Sequence, residues 1–174
     1  VDRLYGKAES LDDFCRKVQF LNYDSYRAMF ESWNNRLWGD ASGVLLWMRH
    51  PAWPSVEWQT YSWDYETFGS YYGSRKACEP VHVQMNLDDH DVVVLNTTTS
   101  PLADLMVTMT CHDLAGKKIS AKTLKDVDVP ANSRVDLFRA EIDGIRGNYM
   151  VRLVLSDRKG KVITVNDYMM RGEG

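Results

Sequence analysis

The feature that most constrains the fold is a change in the spacing of apolar residues at Pro80. Before it they recur at steps of three and four: Leu11, Phe14, Val18 and Leu21, then Met29, Phe30, Trp33 and Leu37. That stripe predicts a helical segment over residues 11–38. Ser10 stands where an N-cap is needed, Asp13 three residues on can return the bond, and Gly39 suits a left-handed position past the end. Asn22, Tyr23 and Asp24 mark a point where the helix can divide in two. After Pro80 the step is two. Leu105, Val107, Met109 and Cys111 fall on one face of "ADLMVTMTCHD", and Tyr149, Val151, Leu153 and Leu155 on one face of "NYMVRLVLSD". "DRKGK", residues 157–161, is a turn into a last strand, Val162 to Met170. With "VHVQM", "DVVVLNTTT", "KKISAKTLKDVDV" and "SRVDLFRAEI", about seven short strands predict an antiparallel sandwich of immunoglobulin type over residues 81–174.

The segment between these regions reads differently. "GVLLWM", residues 43–48, is apolar on both faces and bounded by glycine and by His50-Pro51, which predicts a strand buried on both sides. Residues 71–79 return to helical spacing, and Pro80 stops them. Helix, strand, loop, helix is an α/β order, yet one parallel strand has no neighbour to share its ladder. Residues 1–80 are therefore expected to be an α/β fragment of a larger domain, the chain starting inside it as a mature form or a cut piece.

Composition narrows the function. A net charge of −3 leaves no electrostatic footprint for nucleic acid, and no apolar run reaches membrane-spanning length. Cys15, Cys78 and Cys111 are odd in number, far apart and in no metal-ligand spacing, so they read as three buried thiols. No phosphate loop, zinc motif or nucleophile elbow occurs, and no metal or cofactor is expected.

All six tryptophans lie between residues 33 and 63, four of them in "LLWMRHPAWPSVEWQTYSWDY". Packing is the default role for so large a side chain: Trp33 and Trp38 on the helix face, Trp58 and Trp63 tying down the loop. Trp47 and Trp53 stand apart, because they flank the end of the 43–48 strand with His50 between them, and α/β barrels place their sites at strand C-terminal ends. An indole face suits the C–H face of a pyranose, and Arg49 and His50 can meet its hydroxyls. Trp47, His50 and Trp53 are accordingly the candidate substrate-binding residues for a carbohydrate. Glu57, Asp64 and Glu66 share the loop, but nothing in their spacing fixes the separation an acid/base pair on a glycosidic bond requires, and they read as solvated charges.

"YRAMFESWNNRLW", "SGVLLWMRHPAWPS", "YYGSRKACEPVHVQ" and "VVVLNTTTSPLADLMVTMTCHDLAGK" together resemble the C-terminal part of glycoside hydrolase family 2, in the branch of exo-β-D-glucosaminidases and mannosylglycoprotein endo-β-mannosidases. The resemblance implies that residues 43–48 are the eighth strand of a (β/α)8 barrel, 11–38 the helical segment before it, 67–79 the last barrel helix, and 81–174 an immunoglobulin-like domain. It also implies retaining hydrolysis by two glutamates that lie upstream of Val1, so no residue here is assigned a catalytic role. Trp47, His50 and Trp53 carry over as a wall around the sugar nearest the cleavage point. Where glucosaminidase-like members are richer in amides after "WM", this chain has Arg49 and His50, which leaves a β-mannoside open beside a β-glucosaminide. The partners implied are that carbohydrate and the remainder of the parent chain, in a secreted or periplasmic setting. The alternative is a non-catalytic sandwich that binds glycan or protein, or serves as a spacer. Against glycan binding there, residues 81–174 hold no tryptophan and only Phe138, Tyr149 and Tyr168 as aromatics. "NTTT" places a glycosylation sequon at Asn96, which has meaning only in a eukaryotic secretory pathway.

Overall fold

The computed structural model describes residues 1–55 and 59–173. The chain forms two compact units, Val1–Glu79 and Pro80–Gly174.

The first unit holds α1 (Asp2–Tyr5), α2 (Leu11–Asn34) and α3 (Gly69–Ala77). The Ser10 side chain accepts the Asp13 N–H at 3.1 Å, while the Asp13 carboxylate accepts the N–H of Glu9 at 3.0 Å, one residue earlier than in a capping box. The helix runs unbroken through Asn22, Tyr23 and Asp24. Their weak helix propensity is offset by one long-range and two local contacts: Asp24 accepts from the Tyr5 hydroxyl and pairs with Arg27 of its own helix at 2.9 Å, and the Arg27 guanidinium lies over the Tyr23 ring. The helix ends at Asn34, short of Trp38, and the left-handed conformation expected of Gly39 falls on Trp38, φ 64°.

Two glycines set how α2 meets α3. A Cβ on Gly69 would lie 2.0 Å from the Gln19 carbonyl oxygen, and one on Gly73 2.2 Å from that of Tyr23, so the two backbones touch. Gln19 Oε1 accepts the Gly69 N–H at 2.6 Å, and Asn34 Nδ2 donates to the Ala77 carbonyl at 2.7 Å. Arg27 and Glu31 are the buried side chains of α2. The apolar stripe expected to turn inward lies largely in solvent instead, with Leu11, Phe14, Leu21 and Trp33 exposed. Helical spacing defines a stripe but not its partner, and among the described residues α2 packs on α3 through the opposite choice of face.

Residues 42–48 form no strand, and Leu45 is fully exposed. The expectation of a doubly buried strand fails in this chain because a strand needs a neighbouring ladder, and among the described residues the first unit has only isolated bridges, Leu37 with Ala41 and Tyr61 with Thr67. The thiols also differ from expectation: Cys111 is buried, while Cys15 and Cys78 are exposed.

The second unit is an antiparallel β-sandwich. Strands β1 (Val81–Met85), β2 (Asp91–Asn96) and β5 (Ser133–Arg139) form one sheet in the order β1-β2-β5. Strands β3 (Leu102–Asp113), β4 (Lys118–Val129), β6 (Asn148–Ser156) and β7 (Val162–Arg171) form the other as β4-β3-β6-β7. The two predicted inward rows meet across β3 and β6, Val107 opposite Leu155, Met109 opposite Leu153 and Cys111 opposite Val151, all buried against Val83, Met85, Val92 and Val94 of the first sheet. Two hairpins share one turn, Asp-x-x-Gly-Lys at 113–117 and 157–161: the aspartate Oδ1 accepts two backbone N–H groups, and Gly116 and Gly160 take φ 82°. Tyr168 ties the sheets together, its hydroxyl accepting from the Met85 N–H at 2.9 Å and from Asn166 Nδ2 at 2.8 Å. Asn96 is fully buried, with Nδ2 donating to the carbonyls of Ser100 at 2.9 Å and Pro130 at 3.0 Å. The amide nitrogen of the sequon is a bracket inside the sandwich.

Candidate functional site

The segment between α2 and α3 carries the candidate site. Its far end is a small turn: the Ser62 N–H donates to the Glu66 carbonyl at 2.9 Å, the Tyr65 N–H to the Ser62 carbonyl at 3.1 Å, and the Phe68 N–H to the Thr60 carbonyl at 3.1 Å. Serine and aspartate build this turn through their side chains. Ser62 Oγ donates to Asp64 Oδ1 and accepts the Glu66 N–H at 3.0 Å, which also holds the Asp64 carboxyl below the usual carboxylate range. Tyr65 completes the turn in the left-handed region, φ 68°. Arg49 fastens the near end, its carbonyl accepting the N–H groups of Thr60 at 3.1 Å and Tyr61 at 3.2 Å and the Thr60 hydroxyl at 3.1 Å.

His50 therefore sits against the turn. Its Nε2 lies 3.3 Å from the Trp63 carbonyl oxygen, and its ring stacks on Tyr65 with centroids 4.5 Å apart and planes 16° from parallel. A carbonyl can only accept, so Nε2 carries the proton, and Nδ1 of the neutral ring keeps its lone pair. Trp47 and Trp53 project into solvent, 80% and 70% exposed, with Trp63 and Tyr65 also exposed. The structure thus brings His50 to Trp63 and Tyr65. Of the loop carboxylates, Asp64 and Glu66 are exposed, and Glu57 lies outside the described residues, as does Trp58. Sequence reasoning passed over Tyr65 as a site residue. Its signal was the Ser-x-Asp turn beside it, which is readable, whereas the stack on a residue fifteen positions away is not.

A groove of about 510 Å³ between α2 and α3 is lined by Phe20, Tyr23, Phe68 and Tyr72 with Arg16 and Gln19, and none of the candidate residues enters it. Among the described residues no group of three histidine, cysteine or carboxylate side chains is placed to hold a metal ion, and no helix is long and apolar enough to cross a membrane.

Residues 88–171 match the family described as Mannosidase Ig/CBM-like domain. The chain is 36% identical over 152 residues to a mannosylglycoprotein endo-β-mannosidase of Lilium longiflorum, a match covering 87% of this chain and 16% of the relative. It is 33% identical over 172 residues to an exo-β-D-glucosaminidase of Amycolatopsis orientalis, covering 95% of this chain and 17% of the relative. A solved exo-chitosanase of that organism, in complex with PNP-β-D-glucosamine, superposes on 99% of this chain and 21% of its own, with a TM-score of 0.89 at 29% identity. A β-D-mannosidase of Dictyoglomus thermophilum shares the fold, with a TM-score of 0.79 over 97% of this chain and 21% of its own at 22% identity. The chain spans about a sixth to a fifth of the length of these proteins.

Proposed function

We propose, from a chain that is similar over nearly its full length to glycoside hydrolase family 2 enzymes, that this protein is part of a retaining β-glycosidase and supplies one wall of its sugar site. The observation that carries the reading is the pair of exposed indoles, Trp47 and Trp53, within the region matched to both relatives. Burying an aromatic side chain removes roughly 150–250 Å² from water, and indole faces as exposed as those of Trp47 and Trp53 suit a flat apolar ligand face. A pyranose offers one in its C–H face, and its hydroxyls can then bond His50 and Arg49.

In this reading residues 1–80 are the end of a (β/α)8 barrel, with 43–48 becoming its eighth strand when the neighbouring strands supply a ladder. The wall orients the sugar, while the two carboxyl groups of a retaining mechanism, roughly 5–5.5 Å apart, come from the rest of the parent protein. In this reading the sandwich is an accessory domain; among its described residues Tyr149 and Tyr168 are buried, and Lys122 Nζ covers the Phe138 ring at 4.8 Å.

The test is kinetic, in the full-length enzyme, with aryl β-mannoside and β-glucosaminide. Trp47→Ala should lower kcat/KM roughly tenfold or more, with little change in melting temperature. Unchanged kcat/KM with a lowered melting temperature would make Trp47 a packing residue and defeat the reading. The 174-residue chain alone should turn over neither substrate.

A further inference from the structure

The geometry points to Tyr65 as a positioning residue for His50, fixing the imidazole so that Nδ1 is presented as a hydrogen-bond acceptor to a sugar hydroxyl. The inference rests on the reading of this loop as a sugar wall and assigns one of its atoms. Two restraints define the ring. The Trp63 carbonyl selects the tautomer with hydrogen on Nε2, and Tyr65, stacked at 4.5 Å and 16°, fixes the plane. Among the described residues Nδ1 has no hydrogen-bond partner.

The turn holds Tyr65 there at some conformational cost. A tyrosine at φ 68° occupies a region that side chains other than glycine and asparagine rarely adopt. The Ser62 bracket to Asp64 and Glu66, together with the Tyr61–Thr67 bridge, over-determines that conformation. Tyr65 is itself exposed, so its placement owes nothing to burial of its own ring. Without the stack, the imidazole can rotate about its side-chain bonds and the acceptor is no longer pre-oriented. Such a change weakens binding of substrate and transition state alike, which raises KM with little effect on kcat.

The experiment measures kcat and KM of the full-length enzyme with the better of the two aryl glycosides, for His50→Ala, Tyr65→Ala, Tyr65→Phe and the double variant His50→Ala/Tyr65→Ala. The expected result is a KM roughly three- to tenfold higher for either alanine variant, the range of one uncharged hydrogen bond. The double variant should be no worse than His50→Ala alone, because Tyr65 acts only through His50. Tyr65→Phe should restore the wild-type KM, since the ring and not the hydroxyl makes the stack. Additive losses in the double variant, or a Tyr65→Phe as impaired as Tyr65→Ala, would overturn the positioning role and make Tyr65 a direct contact. An unchanged KM in His50→Ala would remove His50 from the sugar wall, a failure of the underlying reading rather than of the link between the two residues. Tyr65→Gly separates either outcome from misfolding, because glycine is relaxed at this φ while lacking the ring, and it should match Tyr65→Ala.

Discussion

Replacing Gly73 by alanine sets helix propensity against helix packing, and the structure decides the sign. In a helix interior alanine is favoured over glycine by about 0.8–1.0 kcal/mol, so an isolated α3 would gain. In this fold the new Cβ would stand 2.2 Å from the Tyr23 carbonyl oxygen and 3.0 Å from the Arg27 nitrogen, well inside the 3.4 Å at which ordinary contact begins. Both neighbours are backbone atoms of α2 and have no rotamer to yield. The helices must separate, and separation strains the Gly69 contact and the two cross-helix hydrogen bonds, from Gly69 to Gln19 and from Asn34 to Ala77. Overpacking costs about 1–3 kcal/mol and a weakened hydrogen bond about 0.5–1.5, so the net after the propensity gain is a loss of about 0.5–4 kcal/mol. Amide hydrogen exchange on the 174-residue protein is the assay. Protection over residues 69–77 and the facing part of α2 should fall, while β3 and β6 keep theirs. A Gly73→Ala protein whose α3 amides are better protected, by the amount propensity alone supplies, would refute the close-packing argument.

Three further outcomes are expected. Tyr168→Phe leaves the Met85 N–H and one Asn166 amide hydrogen without this acceptor in the core, and should lower stability by about 1–3 kcal/mol in urea unfolding, with the slope unchanged; a loss under about 0.5 kcal/mol would count against the bridge. Asn96, expressed in a eukaryotic secretory host, should carry no glycan in the folded protein, because its Nδ2 is buried and donating; a mass increment at Asn96 on natively folded material would contradict the bracket. The Asp13 carboxyl, held below its usual range by Lys17 and by the Glu9 N–H, stabilises the start of α2 at pH values above about 4, and that contribution should fade as pH falls through its lowered pKa. Lys17→Ala should bring the titration of Asp13, followed by NMR, back toward the ordinary carboxylate value.

The sequence by itself determined the sandwich. A period of two gives each strand one apolar face regardless of neighbours, and Leu105 to Cys111 and Tyr149 to Leu155 are buried where alternation put them, because both sheets come from the same contiguous stretch of chain. The two Asp-x-x-Gly-Lys turns were equally local, each closing on its own side chain. Tertiary structure decided the rest. Periodicity laid Leu11, Phe14 and Leu21 along one stripe of α2, but the buried face is the one that meets the small residues of α3, and that choice depends on a partner forty to fifty residues away. "GVLLWM" has the composition of a buried strand, yet a strand exists only where a second backbone satisfies its N–H and C=O groups. His50 and Trp47 were legible as candidates from residue type and spacing. That His50 lies on Tyr65 and is oriented by the Trp63 carbonyl was not, because the contact follows from how the chain turns back at Ser62, and no period in the sequence encodes the place where two parts of one loop meet.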